Sequence, residues 1–158
     1  MTHDEYVDYI RTRYSDLFDP ANTDAEWTYL ITIGPGWWPL FSDFCQQLEG
    51  DLKHHDEVGR WYIRQTKEKM GELRIYVRPA AYEQPDTDGF AEWIDGIDPP
   101  EPSAAQEMIS IIREQVVRQA NRTCEECGEP GGLRVIDGWY KTCCELHFEQ
   151  WRERRSSK

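Results

Sequence analysis

Apolar side chains fall three or four residues apart at Tyr6, Val7, Ile10, Tyr14, Leu17 and Phe18, and Thr2 with Glu5 stands where a capping box opens a helix. An amphipathic first helix is therefore expected, stopped by Asp19-Pro20. Residues 27–33, WTYLITI, are β-branched and aromatic and read as a short strand ended by Gly34-Pro35-Gly36. A second helix is expected to open near Pro39, with Trp38, Phe41, Phe44, Cys45, Leu48 and Leu52 on one face. Cys45 in that stripe reads as a buried, inert thiol.

From Arg60 to Arg78 the period changes to two, and RWYIRQTKEKMGELRIYVR reads as a hairpin turning at Gly71. Trp61, Ile63, Leu73, Ile75 and Val77 would face the core. Residues 79–102 are rich in Pro, Gly and Asp and read as a long loop. Ser103 with Gln106 is expected to cap a further helix whose core stripe is Ala105, Met108, Ile109, Ile112, Val116 and Ala120, ending at Asn121. No internal repeat or heptad run is visible. The expected class is α+β, with helices packed on a small antiparallel sheet. The expected division is a body of residues 1–122 and a metal-binding module of residues 123–158 packed on it.

At 158 residues, with 13% aromatics including seven Trp, the chain can bury a real core. The acidic, amphipathic start lacks the pattern of a secretory signal, and no run of apolar residues is long enough to span a bilayer, so a cytoplasmic location is expected. Net charge is −12 and uneven: residues 1–50 hold nine acids against two arginines, and Glu83 to Glu101 holds seven acids and no base. Such a field disfavours binding to phosphate backbones and suits a surface that imitates nucleic acid. Asp86, Asp88, Glu92, Asp95 and Asp98 in that loop are candidate contacts for a basic partner.

Against this background the hairpin's second face stands out, with Arg60, Tyr62 and Arg64 beside Arg74, Tyr76 and Arg78. That ladder offers bidentate and stacking contacts to an anionic partner; it equally fits a solvated sheet face or one paired with the chain's own acids.

The densest chemistry lies in TCEECGEPGGLRVIDGWYKTCCELHF, residues 123–148. Cys124-x2-Cys127 followed by Gly128, then Cys144-x2-His147, is the paired spacing of one tetrahedral zinc, crowded as in a reducing compartment rather than in a disulfide framework. Asp137-Gly138 between LRV and GWYKT signals a hairpin, and ELHFEQWRERR reads as a helix with Cys144 and His147 in its first turn. Cys143 is surplus; with His147 it forms an i, i+4 pair, so the spacing prefers Cys144 without excluding it. Knuckle, hairpin and helix describe a treble-clef module, and four protein ligands leave no open position, so a structural zinc is expected.

The finger resembles the Cys-x2-Cys-Gly zinc finger of the DksA/TraR regulators, which bind RNA polymerase. The likeness covers the last quarter of the chain, ends in histidine instead of cysteine, and lacks their acidic-tipped coiled coil, so polymerase binding is not implied. A longer stretch, GPGWWPLFSDFCQQL, RQTKEKMGELRIYV, and CEECGEPGGLR with GWYKTCCELH, is similar to a group of small bacterial and phage-borne zinc-finger proteins of unassigned function. That resemblance favours Cys144 over Cys143 and implies a phage or prophage setting.

Outside the metal ligands, His54-His55-Asp56-Glu57 is the remaining titratable cluster, and it reads as helix-end dipole partners. The expected function is a non-enzymatic, acidic interaction protein that binds and inhibits or modulates a host or defence protein. The alternative is a nucleic-acid-binding or transcription regulator that docks by the zinc module and the Arg/Tyr face.

Overall fold

The computed structural model describes residues 1–81, 99 and 101–157. Asp86, Asp88, Glu92, Asp95 and Asp98, the expected partner contacts of the acidic loop, lie outside these residues. Among the described residues the protein is a mixed α+β fold of five α-helices, a three-stranded sheet and a two-stranded sheet.

The first helix, α1 (His3–Arg13), opens with the expected capping box, Glu5 N–H donating to Thr2 Oγ1 and Thr2 N–H to the Glu5 carboxylate. Its buried face carries Tyr6, Val7 and Ile10. A 3-10 turn at Ser15–Leu17 then buries Leu17. Residues 27–30 depart from the expected strand of residues 27–33: they belong to α2 (Asp24–Leu30), and the strand is reduced to β1 (Ile31–Thr32). The cause is a second capping box, Thr23 with Glu26, which satisfies the helix's first donors locally and overrides the β-branched composition of WTYLITI.

Gly34-Pro35-Gly36 leads through a 3-10 turn, Pro35–Trp37, into α3 (Trp38–His54), whose first turn contains Pro39. Phe41, Phe44, Cys45, Leu48 and Leu52 form its buried stripe. Tyr6 stacks on Trp38 at 4.6 Å and donates its hydroxyl to the Trp38 carbonyl, which ties α1 to the start of α3. Burial pushes the fully enclosed Cys45 thiol well above its ordinary range, as an inert core cysteine requires.

The hairpin is present as β2 (Trp61–Lys69) and β3 (Glu72–Pro79), turning at Met70-Gly71, both with positive φ. β1 joins β2 in parallel, so the sheet order is β1-β2-β3. Core-facing Trp61, Ile63, Leu73, Ile75 and Val77 are buried as expected.

The following helix, α4 (Gln106–Ala120), packs on α3 and β3 through Ile109, Ile112, Val116 and Ala120, whereas Met108 is exposed. Its expected cap is corrected. Ser103 does not accept from the helix; the buried Glu57 carboxylate accepts from Ala105 N–H at 2.7 Å and Ser103 Oγ at 2.9 Å. The chain ends with β4 (Gly132–Ile136), β5 (Trp139–Cys143) and α5 (Glu145–Ser156). The Asp137-Gly138 turn has positive φ at both residues, the geometry that a two-residue hairpin demands. No described helix is long and apolar enough to cross a membrane.

Candidate metal centre

Three short elements bring the ligands together. Cys124 N–H donates to the Glu129 carbonyl and Gly128 N–H to the Cys124 carbonyl, folding residues 124–129 into a knuckle, and Gly128 takes the left-handed conformation that closes it. Cys144 is the residue before α5, with extended backbone, and His147 is three positions on, so both project from the helix start. The β4–β5 hairpin returns the chain from the knuckle to that helix, with Glu125 N–H bonding the Thr142 carbonyl.

Cys124, Cys127, Cys144 and His147 place one ligand atom each within 4.8 Å of one another and can hold a metal ion. The separations discriminate. A tetrahedral ion at about 2.3 Å from sulfur and about 2.05 Å from nitrogen sets sulfur atoms about 3.8 Å apart and sulfur and nitrogen about 3.5 Å apart. Cys127 Sγ and Cys144 Sγ are 3.8 Å apart, and His147 Nδ1 lies 3.5 Å from Cys124 Sγ and 3.2 Å from Cys144 Sγ. Cys143, the surplus candidate, is fully buried at the end of β5 and stands outside the cluster, because successive residues of an extended chain point to opposite sides.

The surroundings favour thiolate at Cys124 and oppose it at Cys127. Burial opposes ionisation of Cys124, but backbone N–H groups of Cys144, Cys127 and Glu126 aimed at its sulfur outweigh burial and lower its thiol to about 7. Cys127 is held up to about 11: the Glu129 N–H favours its thiolate, but desolvation and the neighbouring sulfurs of Cys124 and Cys144 oppose a second negative charge. A cation at the centre of the four removes that repulsion.

The knuckle is pressed onto the 3-10 turn before α3. Gly36 N–H donates to the Glu125 carbonyl at 2.6 Å, Gly34 N–H to Glu125 Oε1 at 3.0 Å, and the buried Trp37 indole N–H to the Thr123 carbonyl at 2.8 Å. Burial pushes the Glu125 carboxyl up despite the Gly34 hydrogen bond. On the other side, Leu133 and Thr142 meet the β2–β3 turn, with Thr142 Oγ1 donating to the Gly71 carbonyl.

The Arg/Tyr ladder is not the exposed surface expected. Arg78 is 2% exposed and Tyr76 6%, with Lys67 and Arg78 both lying against the Tyr76 ring. Arg64 sits at a bulge in β2 and is engaged by Asp19 at 2.7 Å and by the Ala80 carbonyl. Arg74 and Arg60 keep partial exposure, but each is paired, Arg74 with Glu72 at 2.7 Å and Arg60 with Glu57 at 2.7 Å. Around the helix-end histidines, His55 Nε2 lies 3.4 Å from Asp51 Oδ1, and Glu57 is spent on capping α4 and on Arg60. Sequence reasoning missed the Glu57 cap and the Gly34-Pro35-Gly36 dock; the second was signalled only by two glycines flanking a proline before a buried tryptophan.

Fold and cluster together define a mixed α+β protein with a three-cysteine, one-histidine cluster that can hold a metal ion. A scan against family models and searches of curated proteins and of solved structures found no match to the chain.

Proposed function

We propose that the cluster is a structural zinc site in a treble-clef-like module, and that the protein is a non-catalytic binding protein. Its acidic surface would engage a basic host or defence protein in the manner of a phage-type inhibitor or modulator. One observation carries the reading: three cysteines and a histidine place their ligand atoms within 4.8 Å of one another, and three of the separations, 3.8, 3.5 and 3.2 Å, are close to those that a tetrahedral ion sets. A site so completed has no position for a substrate or an activated water, whereas it adds a cross-link between segments 17 residues apart to the hairpin that already pairs them. The choice of zinc follows from the soft, thiolate-rich donor set.

The acidic character of the partner surface is supported by the outer faces of α1 and α2, where Asp4, Glu5, Asp8, Asp24 and Glu26 are all exposed. Arg11 pairs with Asp24 at 2.8 Å, and the excess of acids on a chain of net −12 steers a cationic partner and repels nucleic acid. The test is affinity purification from bacterial lysate with metal analysis of the same sample. One zinc per chain and a stoichiometric basic protein, lost when Asp4, Asp8 and Asp24 become Asn, is the expected result. Retention of the same protein by the neutralised variant refutes the acidic-surface mechanism, and a chain that folds identically without metal refutes the structural zinc.

A further inference from the structure

Two cavities of about 400 and about 430 Å³ lie side by side and share Glu72, Arg74 and Asn121, so they form one groove. It runs from the C-terminal half of α4, along β3, to the place where the β2–β3 turn meets the β4–β5 hairpin. Its two ends differ in chemistry. At the α4 end stand Arg113 and Arg118 with Val117 between them on the helix. At the hairpin end stand Met70, Leu133 and Tyr140, exposed by 60%, 56% and 39%. The register pairs Leu133 with Thr142 and Val135 with Tyr140, so exposed Val135 continues the apolar strip on the same face of the hairpin.

The arginines of this groove are available. Arg113 has neither an ion pair nor a hydrogen bond among the described residues, and Arg118 meets Glu114 only at 3.8 Å with both side chains mostly in water, a screened pair that holds little. Arg74 is half-exposed beside Glu72. Four basic side chains line the groove, Arg113 and Arg118 at the α4 end, Arg74 in the middle and Lys69 at the hairpin end, against the two acids Glu72 and Glu114; on a chain with twelve excess negative charges this net positive lining is complementary to an acidic ligand.

We propose that this groove is the docking site for an acidic peptide segment of a partner protein. An apolar side chain of that segment seats among Met70, Leu133 and Tyr140, and its carboxylates pair with Arg113, Arg118 and Arg74. A peptide is favoured over a nucleic acid because Glu72 and Glu114 also line the groove. Evenly spaced phosphates cannot avoid them, whereas a peptide can place neutral residues there. Planar guanidinium groups suit carboxylates, and exposed Met and Tyr suit an apolar anchor. This surface stands apart from the acidic one, and the two readings survive or fail separately.

The experiment is fluorescence anisotropy with the metal-loaded full chain and a short fluorescein-labelled peptide of alternating glutamate and leucine. Comparison probes are a lysine–leucine peptide, a glutamate–serine peptide and an oligothymidine of similar length. The glutamate–leucine peptide is expected to bind saturably and the glutamate–serine peptide more weakly, while any binding of the lysine–leucine peptide, to the acidic positions of α1 and α2, should be unaffected by the arginine changes in the groove. Arg113→Glu with Arg118→Glu should weaken binding by about tenfold or more. Arg113→Gln with Arg118→Gln should weaken it less and serves if the reversed pair fails to fold. Arg154→Glu, a single charge reversal outside the groove, should leave binding unchanged, and Tyr140→Ser should weaken it. Failure of the glutamate–leucine peptide to bind, an equal loss with Arg154→Glu, or tighter binding of oligothymidine would each overturn the assignment.

Discussion

Gly36 has an ordinary backbone conformation, so replacing it by alanine tests packing alone. A Cβ there would stand 2.0 Å from the Cys124 carbonyl oxygen, 2.5 Å from Gly128 N and 2.7 Å from the Glu125 carbonyl oxygen. All three are backbone atoms of the knuckle, and no rotamer change relieves them. The 3-10 turn and the knuckle must separate by about 1 Å, an overpacking that costs about 1–3 kcal/mol. The separation also stretches the Gly36 and Trp37 hydrogen bonds to Glu125 and Thr123, each contributing about 1 kcal/mol and more when the orphaned group is buried. Gly36→Ala should therefore destabilise the metal-loaded protein by about 3–5 kcal/mol. Gly50→Ala is the control: it lies inside α3 with nothing within 4 Å of an added Cβ, and should stabilise by about 0.5–1 kcal/mol. Urea unfolding followed by tryptophan fluorescence, with metal content verified in each sample, measures both. A Gly36→Ala protein within about 0.5 kcal/mol of the parent would refute the docking of the knuckle described here.

Cys144→Ser should abolish stoichiometric metal and lower the melting temperature, whereas Cys143→Ser should keep one metal per chain; the reverse pattern, read by metal analysis, would reassign the third ligand. Glu57→Ala removes a 3%-exposed carboxylate that accepts from Ala105 and Ser103 and pairs with Arg60, and should cost about 3–5 kcal/mol in urea unfolding, with faster hydrogen exchange in the first turn of α4. The Ala21 N–H and the Arg64 guanidinium hold the Asp19 carboxyl below its ordinary value of 3.8. A depressed acid stabilises above its unfolded pKa and loses that contribution as pH falls through the folded one. Asp19→Asn should accordingly cost about 1 kcal/mol at neutral pH, and the gap from the parent should close in strong acid; a pH-independent gap would refute the assignment.

The elements most legible in the sequence were those whose signals agree at every level. In α1, α3 and the two hairpins, period, cap or turn chemistry and burial coincide, and the ligand pairs are local enough for spacing alone to bring each together. The misreadings share a cause, namely a polar residue whose partner is remote or whose local signal contradicts composition. Thr23 and Glu26 make a helix from residues that look like a strand, so the capping pattern should have outweighed WTYLITI. Ser103 looks like a cap, but it is claimed by Glu57 from 46 residues away. The Arg/Tyr ladder assumed that one face of the hairpin meets water. A bulge at Arg64, the reach of Asp19 across 45 residues and the burial of Tyr76 and Arg78 depend on tertiary packing that a period-two pattern does not encode.

The bond between Gly34 and Glu125 spans 91 residues, and the Trp37 indole finds its acceptor 86 residues onward. During synthesis the amino-terminal half emerges with this seam open. A nascent chain shorter than Thr123 leaves the Trp37 indole N–H and the Gly36 N–H without these acceptors, at residues that the finished protein buries. The last quarter of the chain is thus the closing piece of a structure begun at the other end, and a ribosome that stops early releases a body with its seam unsealed.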